Sequence, residues 1–218
     1  MSESTSAAPQ PSQSVPSRRR VASSLAWAVP TVVAAAAAPA EAASPLPRID
    51  RSFLVTRGTQ AAVPGASVSQ CRSGSRLSVT TDNVNTYYRI VNVQAGSTVT
   101  NVTASVLVQK DMVDAMETGR NPTTFTWTSS TPSWSTPTRE VSGTGSPVLY
   151  TDNNIQYYRY VSRLLTPVPA PVSGTITLPI IGWYSNCSTT LAGVSVNGRG
   201  SAVVNGKTLV QIGAYRTL

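Results

Sequence analysis

Two matching stretches, beginning at positions 81 and 151, carry the residue types best suited to chemistry. Thr81-Asp82-Asn83 leads after three residues into Tyr87-Tyr88-Arg89 and Val91. Thr151-Asp152-Asn153 leads, with the same spacing, into Tyr157-Tyr158-Arg159 and Val161. Asp-Asn suits a turn, and Tyr-Tyr-Arg suits the strand that the turn feeds. Alternate strand residues share a face, which joins Tyr87 to Arg89 and Tyr157 to Arg159. A guanidinium beside a phenol can stack on a sugar or grip an acidic group. The same pair can serve as cross-strand packing in two equivalent hairpins, and the pattern leaves both uses open. Trp134, in the Thr/Ser/Pro-rich stretch 123–138, is the other candidate sugar platform, with a place in the core left equally open. Trp127 alternates with Phe125 as a core strand would, and Trp183 lies in an apolar run.

The residue types that are missing weigh against catalysis. The 218 residues include no His, which removes Ser-His-Asp triads, Cys-His pairs and imidazole metal sites together. Two Cys cannot hold a zinc alone, and Asp82 and Asp152 lack the neighbouring carboxylates that calcium collects. No nucleophile elbow or phosphate loop is present. A binding or structural role is therefore expected, with no catalytic residue, metal or cofactor.

Charge and the N-terminal pattern bear on location and partner. Seventeen Lys and Arg against nine Asp and Glu leave a net charge of +8. Such a surplus suits an anionic cell-wall component, an acidic glycan or another surface protein. Nucleic acid is not expected, because no basic stripe is interleaved with aromatics. Residues 1–42 have the order of a signal peptide. Residues 1–16 are a disordered Ser/Pro/Gln segment, and Arg18, Arg19 and Arg20 form an export signal with a loose twin-arginine pattern. Residues 21–38 are the apolar core of a leader helix. Ala40 and Ala42 occupy the small positions ahead of a cut that leaves Ala43 first. A membrane association is expected only if this leader stays uncleaved. The run Ala26-Trp27-Ala28-Val29-Pro30 through Ala42-Ala43-Ser44 resembles the leaders of small exported actinobacterial proteins. That resemblance covers about residues 17–44 and implies a secreted or cell-envelope location for whatever follows.

After a linker at 43–51, residues 52–218 read as one antiparallel all-β sandwich of immunoglobulin-like or Greek-key type. Short β-branched runs alternate there with turn residues. Strands are expected at 52–56, 66–70, 76–81, 87–93, 97–109, 123–128, 148–151, 155–164 and 174–184. Asn197-Gly198 and Asn205-Gly206 are each expected to turn a Val-rich hairpin, giving a three-stranded meander at the C-terminal end. A short helix near 111–118, capped by Asp111, would pack Met112 and Met116 on a sheet. Cys71 and Cys187 are expected to form a disulfide, each at a strand end where it would tie two sheets.

Overall fold

Val102, Ala104, Val106 and Val108 form one apolar side of β5 (Val99–Gln109), and this strand is the middle of the largest sheet. The computed structural model describes residues 45–61, 66–168, 171–172 and 174–218. The leader, with Arg18, Arg19, Arg20, Ala40, Ala42 and Ala43, lies outside the described residues. β5 pairs antiparallel with β9 (Ile155–Arg163) on one side and β12 (Ser195–Val204) on the other. The sheet of seven strands is extended by β13 (Lys207–Ile212) and β14 (Arg216–Thr217), both pairing β12. On the other side β7 (Thr138–Arg139) and β8 (Leu149–Asp152) both pair β9.

The other layer consists of two smaller antiparallel sheets. One has the order β1 (Arg48–Ser52), β4 (Tyr87–Val93), β10 (Gly174–Thr177). Its neighbour has the order β2 (Leu54–Gly58), β3 (Arg76–Thr80), β11 (Gly182–Ser185), β6 (Trp127–Ser129). Ile49, Phe53, Val79, Tyr88, Ile90 and Trp183 from this layer share one buried cluster with the Val and Ala side of β5 and with Val196, Ala202 and Val204 of β12. Burying these apolar faces against each other is what holds the two layers together. The domain is an antiparallel all-β sandwich, as its alternating Val-rich strands require.

One helix, α1 (Lys110–Thr118), leaves the end of β5 and buries Val113 and Met116, with Met112 packed beside them. Its N-cap is Gln109, without a side-chain capping bond, so Asp111 does not cap it. Asp111 sits inside the first turn, where a carboxylate still favours the helix dipole.

Local pattern misplaced several edges. β1 begins at Arg48, so 48–51 of the expected linker are strand. The expected strand 52–56 is two strands in different sheets, broken at Phe53, whose ring turns into the core. Residues 66–70 form no ladder, and 123–128 shortens to β6. The stretch 174–184 divides into β10 and β11, because Leu178 and Ile181 leave the ladder to fill the core between the two sheets.

The C-terminal meander is the clearest departure. Asn205-Gly206 does turn a hairpin, with φ of 48° and 77°. Asn197-Gly198 does not, and β12 runs straight through it. Asn197 is buried, and its amide donates to the carbonyl of Gly213. A Cβ on Gly198 would stand 2.9 Å from Phe53, and one on Gly200 would stand 2.9 Å from the Tyr88 ring. These glycines serve close approach between layers rather than a turn.

Cys71 and Cys187, 116 positions apart, are bonded, with Cα atoms 5.7 Å from each other. The bridge fastens the β2–β3 connection to the chain just past β11. Both ends therefore belong to the four-stranded sheet, and two sheets are not tied as the strand-end positions suggested. Arg76 lies along the bridge, its Nη2 donating to Cys187 Sγ at 3.1 Å.

Candidate functional site

The two copies of the repeat enter different environments. In the first, Asp82 Oδ1 accepts the amides of Val84 (2.8 Å), Asn85 (2.9 Å) and Thr86 (2.8 Å), which makes a five-residue turn into β4. Those donors, chiefly the amides of Thr86 and Val84, hold the carboxyl down at about 2. In the second copy, Asn153 and Asn154 take φ of 45° and 63° and form a two-residue turn between β8 and β9. The difference follows from the partners. The β8–β9 strands pair with each other, whereas β4 pairs with β1 and β10.

Tyr87 and Arg89 do share a face, with the Arg89 guanidinium 4.1 Å from the Tyr87 ring centre. Arg89 also donates to the Asn83 carbonyl at 3.1 Å, closing the turn behind it. Tyr157 and Arg159 stand on one face of β9 but go to separate partners. Tyr157 is buried beneath Tyr215, its ring 4.7 Å away, and shares a 3.0 Å hydrogen bond with Ser195. Trp134 is a core residue, only 2% exposed. Its ring stacks at 5.9 Å on Tyr88, and its indole N–H donates to the Pro179 carbonyl at 3.1 Å. The expectation of a surface sugar platform at Trp134 therefore fails, since the loop that carries it folds inward and fills the space over Tyr88.

A layer of arginine and tyrosine covers the outer face of the large sheet. Pairing sets Arg159 opposite Leu107, and Leu107 opposite Asn197, with Ser105 and Arg199 alongside on the same face. Arg159 donates to Ser105 (3.0 Å), to the Tyr150 hydroxyl (3.1 Å) and to Glu140 (3.5 Å). Arg199 lies 5.2 Å from the Tyr150 ring centre and donates to the Tyr215 hydroxyl at 2.9 Å. Tyr150 thus has two guanidinium groups near its ring, and its own hydroxyl donates to Glu140 at 2.7 Å.

A basic cavity of about 290 Å³ lies where β1 meets the end of β13 and β14, lined among others by Arg51, Arg216, Gln211 and Gly213. Burial is the main influence pulling Arg51 down to about 10; Tyr88 acts in the opposite direction, and the charges of Arg199 and Arg216 add smaller lowering effects. Tyr88 supplies no counter-charge. Its hydroxyl is directed at the carbonyls of Thr103 and Ser201, and burial drives its ionisation far above the usual phenol range. No local pattern pointed to this cluster. Arg51 and Arg216 line one cavity, and the charge of Arg199 reaches Arg51, only because β14 pairs with β12 and β1 crosses beside them. The weak clue was Arg51 two positions before Phe53, an alternation that puts a cation beside an aromatic.

A second hollow, of about 500 Å³, has Phe125, Trp127 and Tyr160 at its base and the Glu117–Arg139 ion pair on its rim. Its three rings pack on one another at 5.2 to 6.1 Å, so their faces are already occupied.

No family model matches this chain, and no curated protein matches it. A solved structure described as "pH-induced modulation of Streptococcus parasanguinis adhesion by Fap1 fimbriae" aligns with 76% of this chain and 88% of its own at 11% identity. Its TM-score is 0.20, too low to bear on fold or function.

What the described residues bring together is cation, phenol and backbone, a chemistry of holding anions and planar groups. No group of three His, Cys, Asp or Glu that could hold a metal occurs among them. No described helix is long and apolar enough to cross a membrane. The internal disulfide fits an oxidising compartment.

Proposed function

We propose that this chain is an exported cell-envelope or secreted β-sandwich that acts by binding, and that its partner is anionic: a wall polymer, an acidic glycan or the acidic surface of another protein. The observation that carries this reading is the basic cavity, which Arg51 and Arg216 line and where no carboxylate joins Arg51 among the described residues. Unbalanced charge of one sign, held on rigid strands, favours an opposite charge brought by a partner. The leader pattern supports export, and the disulfide is consistent with it. On this reading the released protein starts at Ala43.

The test has two parts. The released protein should show an N-terminal mass beginning at Ala43, and recovery of the 21–42 segment in a membrane fraction would refute cleavage. The full chain should bind glycerol-phosphate or uronate polymers better than a neutral glucan, and the preference should shrink between about 20 and 200 mM salt. Equal binding to the neutral polymer would favour the alternative, a carbohydrate module that uses Tyr150 and its flanking arginines. Turnover of any polymer would refute a purely binding role.

A further inference from the structure

Arg51 is a half-buried arginine with no hydrogen-bonding or ionic partner among the described residues. Its guanidinium is pressed against two glycines. A Cβ on Gly213 would fall 1.8 Å from Nη2, and one on Gly198 would fall 3.2 Å from Nη1. Phe53 flanks it, with the ring centre 5.0 Å from Cζ. Its Nε is buried and has no acceptor. Arg89 also has a buried Nε without an acceptor, but its Nη2 donates to the Asn83 carbonyl, and other half-buried arginines have polar partners. Arg139 meets Glu117 and the Tyr160 hydroxyl, Arg159 meets Glu140 and Ser105, and Arg199 meets Tyr215. A half-buried guanidinium without an opposite charge opposes folding, whereas one with a bound anion does not. The glycines that admit Arg51 also leave it one open side, the cavity shared with Arg216 and Gln211.

We infer that the cavity between Arg51 and Arg216 is an oxyanion site that takes a single carboxylate or phosphate group of the anionic partner. The planar fork of Arg51 suits two oxygens at once, Arg216 adds a second positive charge, and the Gln211 amide offers a neutral donor. Phe53 and Ile212 provide an apolar wall for the carbon skeleton bearing the group. A cavity of about 290 Å³ admits one acidic sugar or one glycerol-phosphate unit and excludes a longer segment. This inference rests on the proposed anion-binding role and locates its anchor.

The test is thermal unfolding of the full chain with inorganic phosphate or glucuronate, against chloride at matched ionic strength. At saturation the midpoint should rise by several degrees with at least one of the two anions. Which anion acts tells phosphate from carboxylate. Arg51→Gln should abolish the rise, and Arg216→Gln should weaken the binding severalfold. Arg48→Gln, which removes the same charge from an exposed position on β1, should leave the response intact. An equal rise in Arg51→Gln, or none in the wild type with either anion, would overturn the site. Should Arg51→Gln fail to fold, an undiminished response in Arg216→Gln would overturn it. If the wild type and Arg51→Gln hold an anionic polymer equally well, the site is wrong while the binding role stands. If no polymer binds but the small-anion response is lost only in Arg51→Gln, the site stands and the polymer role fails.

Discussion

Gly200→Ala tests whether close approach between the layers, rather than turn formation, sets the glycines of β12. The new Cβ would lie 2.9 Å from three atoms of the Tyr88 ring, among them the hydroxyl oxygen. Tyr88 cannot retreat. It is fully buried, stacked on Trp134 at 5.9 Å, met edge-on by Phe53 at 5.6 Å, and anchored through its hydroxyl to Thr103 and Ser201. Overpacking of such a site costs about 1–3 kcal/mol. Replacing a strand glycine with alanine returns about 0.5–1 kcal/mol of backbone entropy. The net expectation is a loss of about 1–2 kcal/mol, or about 2–8 °C in melting temperature. Gly58→Ala is the control, because a Cβ there meets nothing within 4 Å. It should leave stability unchanged or raise it by about 0.5 kcal/mol. Urea midpoints of both variants, and of Gly200→Ala in a Tyr88→Leu background, would measure the clash directly. A Gly200→Ala protein as stable as Gly58→Ala, or an unchanged cost after Tyr88 is shortened, would refute the packing argument.

The disulfide and the first turn give two further expectations. A Cys71→Ser, Cys187→Ser double variant should still fold but melt several degrees lower. The 116-position span sets a chain-entropy ceiling of about 4–5 kcal/mol. Calorimetry reads the difference, and an unfolded double variant would show that the bridge is required for folding. Asp82 is held at about 2 in the folded protein against 3.8 ordinarily, so its contribution is present above pH 3.8 and lost as pH falls toward 2. Urea midpoints between pH 5 and 2 should fall less steeply in Asp82→Asn than in the wild type, and parallel acid limbs would contradict that role.

Sequence alone was enough to determine the class of the fold and to weigh against catalysis. Alternation in 99–109 must bury one face, Asn205-Gly206 must turn, and a chain without His loses several catalytic designs at once. Each of these follows from a residue's own geometry or chemistry. The disulfide was legible too, because two cysteines leave only one pairing. The destinations of side chains were not legible. The Tyr-Tyr-Arg copies match at seven of eleven positions, yet Arg89 closes its own turn while Arg159 joins Tyr150 and Glu140, because β4 and β9 lie in different sheets. Trp134 has the loop setting of a surface residue, but its ring stacks on Tyr88 in the core. Asn197-Gly198 has the composition of a turn, but Phe53 needs the space that its glycine leaves. Arg51, Arg199 and Arg216 are scattered along the chain, and only the pairing of β14 with β12 beside β1 brings their charges together. Local rules set backbone conformation over a few residues, whereas contact across layers depends on strand order, which no local pattern in this chain encodes.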